Sequence, residues 1–236
     1  MKWGGPMGQA EAFFTSVEKE QINRAVAEAE KHTAGEIVPV IAVSSGRYER
    51  AADALGLLFG LAALIAVWLS YQRIVPVEGD WAQGQRLTLG LHWIVLILIA
   101  GFLVGSLVLG RVESLRYLLA TRQAMQEEVE RRAQEAFARF RVGKTADGTG
   151  IVLYLSLFER MVSVQGDATV SQKLDQKTWE ELKDIVIGGI REGRAADGLC
   201  RAITRCGEIM SQHFPVQPGD VNELPNELRV LQADSL

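Results

Sequence analysis

Two stretches of this chain carry no charged residue, 54–72 between Asp53 and Arg73 and 87–110 between Arg86 and Arg111. A helix rises ~1.5 Å per residue and a bilayer's hydrocarbon core is ~30 Å thick, so each run is long enough for a crossing. Of the 236 residues 48% are apolar, the upper end of the soluble range, and these runs hold the surplus. The expectation is a two-pass membrane protein with transmembrane helices at 54–72 and 89–110 and an extracytoplasmic loop at 73–88.

Arginines set the orientation. Arg47, Arg50, Arg111, Arg116 and Arg122 flank the runs on the outer sides, against Arg73 and Arg86 in the short loop. The positive-inside rule places both termini in the cytoplasm and the chain in the cell (inner) membrane, with the lipid bilayer as its first partner. Trp68, Tyr71, Trp81 and Trp93 gather toward the loop, as interfacial anchors do. Gly56 with Gly60, and Gly101 with Gly105, form two GxxxG pairs that fall at similar depth in an antiparallel hairpin. They predict close packing of the two helices, with a homo-oligomer through one of these faces as the alternative. No ionisable residue lies deep in either run, His92 standing near the start of the second, which argues for an anchor over a conduction path.

The remaining segments read as one folded body. Thr15 and Glu18 make a capping box before Ile22, Ala25, Val26 and Ala29, which recur on one helical face. Residues 36–44 (EIVPVIAVS) are apolar on both parities, as a strand covered on both faces is, although Pro39 suits an edge or a bulge. Val129, Ala133, Ala136, Phe137 and Phe140 mark a helix within 112–141. Residues 151–157 and 160–165 read as a β-hairpin turning at Phe158 and Glu159. Trp179, Leu182, Val186 and Ile190 mark another helix, and Leu199, Ala202, Ile203, Cys206 and Met210 a last one. Neither the piece at 11–50 nor the piece at 111–214 can cover its strands alone, so the two must share an α/β sandwich on one side of the hairpin. Three prolines and no periodicity make 215–236 a flexible tail.

Candidate chemistry is sparse. A net charge of -4 and a pI near 5.5 exclude a general nucleic-acid binder. Cys200 and Cys206 have neither redox nor zinc spacing and read as reduced thiols. Gly143-Lys144-Thr145 lacks the first glycine of a phosphate-binding loop, with Ala138 in its place, and follows a helix where that motif needs a strand. Ser156 and Ser163 lie in strands without a nucleophile elbow, and His32, His92 and His213 are scattered. Asp147, Asp167 and Asp175 each lie in a connecting segment, where carboxylates from several loops could hold calcium or magnesium. The competing reading makes them solvated turn and cap residues.

The helix around 22–30 (INRAVAEAE), Thr33 to Ile37, Ala136-Phe137, Gly150 to Tyr154, Glu159 to Val162 and Gly166-Asp167 together resemble the TPM domain. That family is named for a thylakoid-lumen protein, a photosystem-associated protein and a nematode receptor accessory protein. The resemblance covers about 11–50 and 129–214, and implies a three-layer α/β/α sandwich, here interrupted by the transmembrane hairpin as in a bacterial membrane subgroup. It also implies acid phosphatase activity, divalent-cation binding and service to membrane complexes, with Asp147, Asp167 and Asp175 as the matching acidic residues. The chain departs from the family at 164–170 (VQGDATV), where a glycine-rich stretch is usual, and in the split of the domain. Two functions follow as expectations. The first is a cytoplasmic partner-binding or accessory module for a membrane complex, with a membrane protein as partner; the rival is a divalent-metal-dependent phosphatase using the loop aspartates.

Overall fold

The computed structural model describes residues 10–46, 49–72, 90–106, 121–145 and 147–231. The chain divides into two units, one built from residues 1–47 and 122–236 and the other from 48–121.

The first unit is an α/β fold around a mixed four-stranded sheet of order β3-β2-β1-β4. Its strands are β1 (Ile37–Ala42), β2 (Ile151–Ser156), β3 (Met161–Gly166) and β4 (Arg229–Leu231). β1 runs parallel to β2, with Ile37 opposite Ile151 and Ala42 opposite Ser156, and β3 returns antiparallel to β2. β1 and β2 are buried at every position, which is why their sequences lack a polar parity. Ile37, Ile41, Ile151, Leu153 and Leu155 face one core, closed by α2 (Ser16–Glu30) and by two later helices, Gln176–Arg191 and Ala195–His213. Val38, Val40, Val152 and Tyr154 face the other, closed by Val129, Ala133 and Ala136 of the helix Arg122–Arg139. A single turn, α1 (Ala10–Phe13), precedes α2. The capping box is formed: Thr15 Oγ1 accepts the Glu18 N–H at 3.2 Å, and Glu18 Oε2 accepts the Thr15 N–H at 2.8 Å.

Pro39 is tolerated inside this sheet for a geometric reason. The carbonyls of Glu36 and Ala42 accept from Ile151 and Leu157 on the β2 side, so residues 37, 39 and 41 turn their polar groups to the other edge. β4 pairs there from Val40 onward, and the missing N–H of Pro39 falls where β4 does not reach. β4 itself lies in the segment expected as a flexible tail; three residues after a proline-containing stretch are too short to show a period.

The second unit is a helical hairpin, α3 (Glu49–Gln72) and α4 (Leu91–Val104). The expected membrane crossing is corrected here: among the described residues no helix is long and apolar enough to cross a membrane. α4 is described over 14 residues. α3 is longer, but Glu49, Arg50 and Asp53 lie at its start and Ser70, Tyr71 and Gln72 at its end. That leaves an apolar middle, 54–69, of about 24 Å against the ~30 Å required. The transmembrane hairpin within the fold class, the lipid bilayer and membrane-protein partners, the inner-membrane placement with cytoplasmic termini and the membrane-complex module all rested on that crossing and are corrected with it. The loop 73–88, with Trp81, Arg73 and Arg86, and the flanking Arg47, Arg111 and Arg116 lie outside the described residues.

The four glycines of the hairpin do meet. A Cβ on Gly101 would stand 2.6 Å from the Gly60 Cα, and one on Gly105 2.8 Å from the Gly56 Cα. Both GxxxG faces are therefore occupied within one chain, including the face through which a homo-oligomer was the alternative. The outward sides of the hairpin expose Leu58, Phe59, Ile65, Trp68, Trp93, Leu96 and Ile99.

Candidate functional site

With the short helices counted, the chain from 122 onward runs α5 (Arg122–Arg139), a 3-10 turn (Val142–Lys144), β2, β3, α6 (Ala168–Lys173), α7 (Gln176–Arg191), α8 (Ala195–His213) and β4. The segment from the 3-10 turn into β2 doubles back tightly. The Gly148 N–H donates to the Thr145 carbonyl at 3.1 Å, and Thr145 Oγ1 accepts the Thr149 N–H at 3.1 Å. Gly148 takes a φ of 61°, which an L side chain rarely adopts. Across from it, Asp167 ends β3 and caps α6, its N–H donating to the Gly150 carbonyl at 2.9 Å.

This brings the Asp167 carboxylate against two glycine backbones. A Cβ on Gly143 and a Cβ on Gly148 would each lie 3.4 Å from Asp167 Oδ2. The Gly148 position also lies 3.3 Å from Thr169 Oγ1, so a hydroxyl and a carboxylate oxygen converge on one point beside the turn that carries Asp147. Asp147 is exposed and Asp167 half-buried.

Asp175 stands apart in its engagement. It begins α7, where Oδ1 accepts the Thr178 N–H at 2.8 Å and the Thr178 hydroxyl at 2.6 Å. Those two bonds from Thr178 hold its carboxyl below the usual range. Among the described residues no three His, Cys, Asp or Glu side chains gather into a metal-ligand set. The structure thus joins Asp167 to the Asp147 turn and gives Asp175 a capping partner. None of the three lines the groove of about 520 Å³ between α7 and α8, whose walls include Lys177, Glu180, Asp184, Gly188 and Arg201.

Two features had no signal in the sequence. Glu159, at the β2–β3 turn, is buried with Ser45 and Ser156 at 1%, 1% and 0% exposure. Its Oε1 accepts the N–H groups of Ser45 and Gly46 at 2.8 and 3.1 Å and the Ser44 hydroxyl at 3.1 Å, and Oε2 accepts the Ser156 hydroxyl. Arg132 of α5 donates to the Ser45 carbonyl at 2.9 Å. Burial pushes the adjoining Tyr154 hydroxyl up to about 12, although its bond with Ser45 works the other way. The serine–glutamate contact is no nucleophile system, because a substrate cannot reach it. The second feature is a pair of carboxylates, Glu30 and Glu36, at the start of β1.

A layered α/β domain with an acidic, glycine-lined loop at the strand ends defines the class. The family model of the TPM domain, which carries a phosphatase name, matches residues 113–209 and supports a TPM-domain fold. That stretch includes Asp147 and Asp167 but not β1 or β4. Among solved structures, the chain is similar to the NMR structure of the BA42 protein from the psychrophilic bacterium Bizionia argentinensis. The TM-score is 0.55 at 16% identity, covering 94% of this chain and 99% of that one, a likeness of fold. No curated protein matches the chain.

Proposed function

We propose that the chain is a divalent-metal-dependent phosphatase whose site lies on Asp147 and Asp167. The observation that carries the reading is the packing of Asp167 Oδ2 against Gly143 and Gly148, facing Thr169 Oγ1, within the stretch matched by the TPM phosphatase model.

The donors fit a hard cation. All are oxygens, and a Cβ at Gly143 or Gly148 would come into ordinary contact, at 3.4 Å, with the Asp167 carboxylate. Two carboxylates alone would repel a phosphate group, so the reading needs a positive charge between them and the substrate. Calcium or magnesium, when bound, would neutralise phosphoryl oxygens and orient a water. The chain's own residues would do the holding: Asp167 is fixed by its N–H bond to the Gly150 carbonyl and by its cap on α6, and Asp147 precedes Gly148 in the turn that Asp167 approaches. Asp175, occupied by Thr178, serves α7.

The test uses the full chain and an aryl phosphate, with magnesium, with calcium and with chelator, alongside cation titration by calorimetry. Asp167→Asn and Asp147→Asn should each lower hydrolysis and cation affinity by about tenfold or more, while Asp175→Asn leaves both unchanged. Hydrolysis indifferent to chelator, or equal in the wild type and both site variants, would remove the proposal.

A further inference from the structure

The two edges of the sheet are built differently. β4 closes one side with three residues, opens on the charged Arg229 and comes soon after Pro225. Short length, charge and proline are the usual devices that keep a sheet edge from pairing with another chain. β3 closes the other side with none of them. Its six residues, Met161–Gly166, include no proline and no charge, and they pair one to one with β2 without a bulge.

The register decides which backbone groups point outward. Asp167 donates its N–H to the Gly150 carbonyl, and Gly166 stands opposite Ile151. Residues 161, 163 and 165 therefore turn their polar groups to β2, and 162, 164 and 166 turn theirs away. Among the described residues one hydrogen bond reaches that outer row, from the Ser171 hydroxyl to the Gly166 carbonyl at 3.2 Å. The N–H and C=O groups of Val162 and Val164 have none there. Yet Val164 is only 8% exposed, and backbone groups so far out of water are nearly always paired. Ser163 repeats the pattern on a side chain. It is 4% exposed, its oxygen accepts from Gln165 Nε2 at 3.1 Å, and its hydroxyl donates to nothing among the described residues.

We propose that β3 is a self-pairing edge: a second copy of this chain adds its own β3 antiparallel, about a two-fold axis at Ser163, and joins the two sheets into one. In that register position 162 meets 164, and the two exchange both backbone bonds, so every unpaired group of Val162 and Val164 is satisfied while the Gly166 carbonyl keeps Ser171. Position 163 meets itself, which gives the buried hydroxyl an acceptor. The layers match as well. Val162 and Val164 pack on the core shared with α7 and α8, and Met161 on the core shared with α5, so a strand with this alternation continues both. Arg160 precedes β3 and Asp167 follows it. Antiparallel pairing brings the cationic end of one strand to the anionic end of the other, where parallel pairing would set like beside like. Between those ends β3 carries no charge to select a basic or an acidic peptide instead. The glycine faces of the hairpin take no part, being filled within one chain.

Residue-resolved hydrogen exchange of the full chain reads this directly, because the outer amides of β3 alternate with those bonded to β2. Over a roughly hundredfold rise in protein concentration the Val162 and Val164 amides should gain about tenfold or more in protection, while Ser163 and Gln165 keep theirs throughout. Val164→Pro removes an outward N–H and leaves the bonds to β2 in place. In that variant the Val162 amide should exchange fast at every concentration, with Ser163 and Gln165 still protected. Should Val164→Pro fold poorly, Ser163→Ala, which alters no backbone group, must raise the concentration of half-protection about threefold or more. Val162 and Val164 amides that stay fast in the wild type at every concentration, even where the chain associates through another surface, overturn the proposal. So does protection that ignores concentration, Val164→Pro and Ser163→Ala alike.

Discussion

The Ser45 N–H lies 2.8 Å from Oε1 of Glu159, tying the exit of β1 to the β2–β3 turn 114 positions later. The same oxygen takes Gly46, and Arg132 holds the Ser45 carbonyl, so the chain's departure toward the helical hairpin is fastened from both strands and from α5.

Removing that carboxylate leaves the buried N–H of Ser45 and the half-buried N–H of Gly46 without this acceptor. Glu159→Ala should cost about 2–4 kcal/mol, since each abandoned buried donor costs roughly 1–3 kcal/mol. Glu159→Gln, which keeps one acceptor oxygen, should cost less than the alanine variant. Urea midpoints at constant m-value measure both.

Neighbouring glycines of α7 should respond with opposite signs. Gly189 meets the backbone of Gly198 at the crossing with α8, and a Cβ on Gly198 would sit 2.8 Å from the Gly189 Cα. Gly189→Ala should therefore destabilise by about 1–3 kcal/mol, the usual result of overpacking a filled contact. Gly188 has nothing within 4 Å of its Cβ position, and Gly188→Ala should stabilise by about 0.5–1 kcal/mol through helix propensity. Thermal unfolding of the pair settles the sign.

In the hairpin, Gly101 abuts the Gly60 backbone too closely for any side chain. Gly101→Val should push α3 and α4 apart. Thermal unfolding should report the overpacked contact as a loss of about 1–3 kcal/mol, because the packed interface is not compressible.

Global stability should also carry the signature of Glu30, whose carboxyl burial pushes up to about 8. An acid with a raised folded-state value stabilises below its unfolded value and loses that contribution as pH climbs through the folded one. Stability should fall between about 4.5 and about 8, and Glu30→Gln should flatten that fall. Denaturation midpoints across this range provide the check.

What could be read in the sequence was local. Thr15 and Glu18 stand three residues apart, and the capping box they announce is made. The Val and Ile runs at 37–42 and 151–156 declare buried strands, and their pairing follows because neither can be covered alone. Asp147 and Asp167 were nameable as loop acids, but the approach of Asp167 to Gly148 depends on how β3 registers on β2, a tertiary fact. Glu159 reads only as a hairpin-turn residue because its donors lie more than a hundred positions upstream. Nothing local to Glu30 and Glu36 marks their cover, because the backbone that covers Glu36 comes from residues 223 and 224. The charge-free runs announced helices, yet composition alone overstated what their length allows.

The placement of β1 in the middle of the sheet sets an order of events. Both its neighbours are made late, one after residue 150 and the other only at 229–231. During synthesis the first strand must therefore wait, apolar on both faces, while the whole hairpin is produced. Contacts this distant along the chain slow folding, so chaperone demand during translation should be concentrated in that interval.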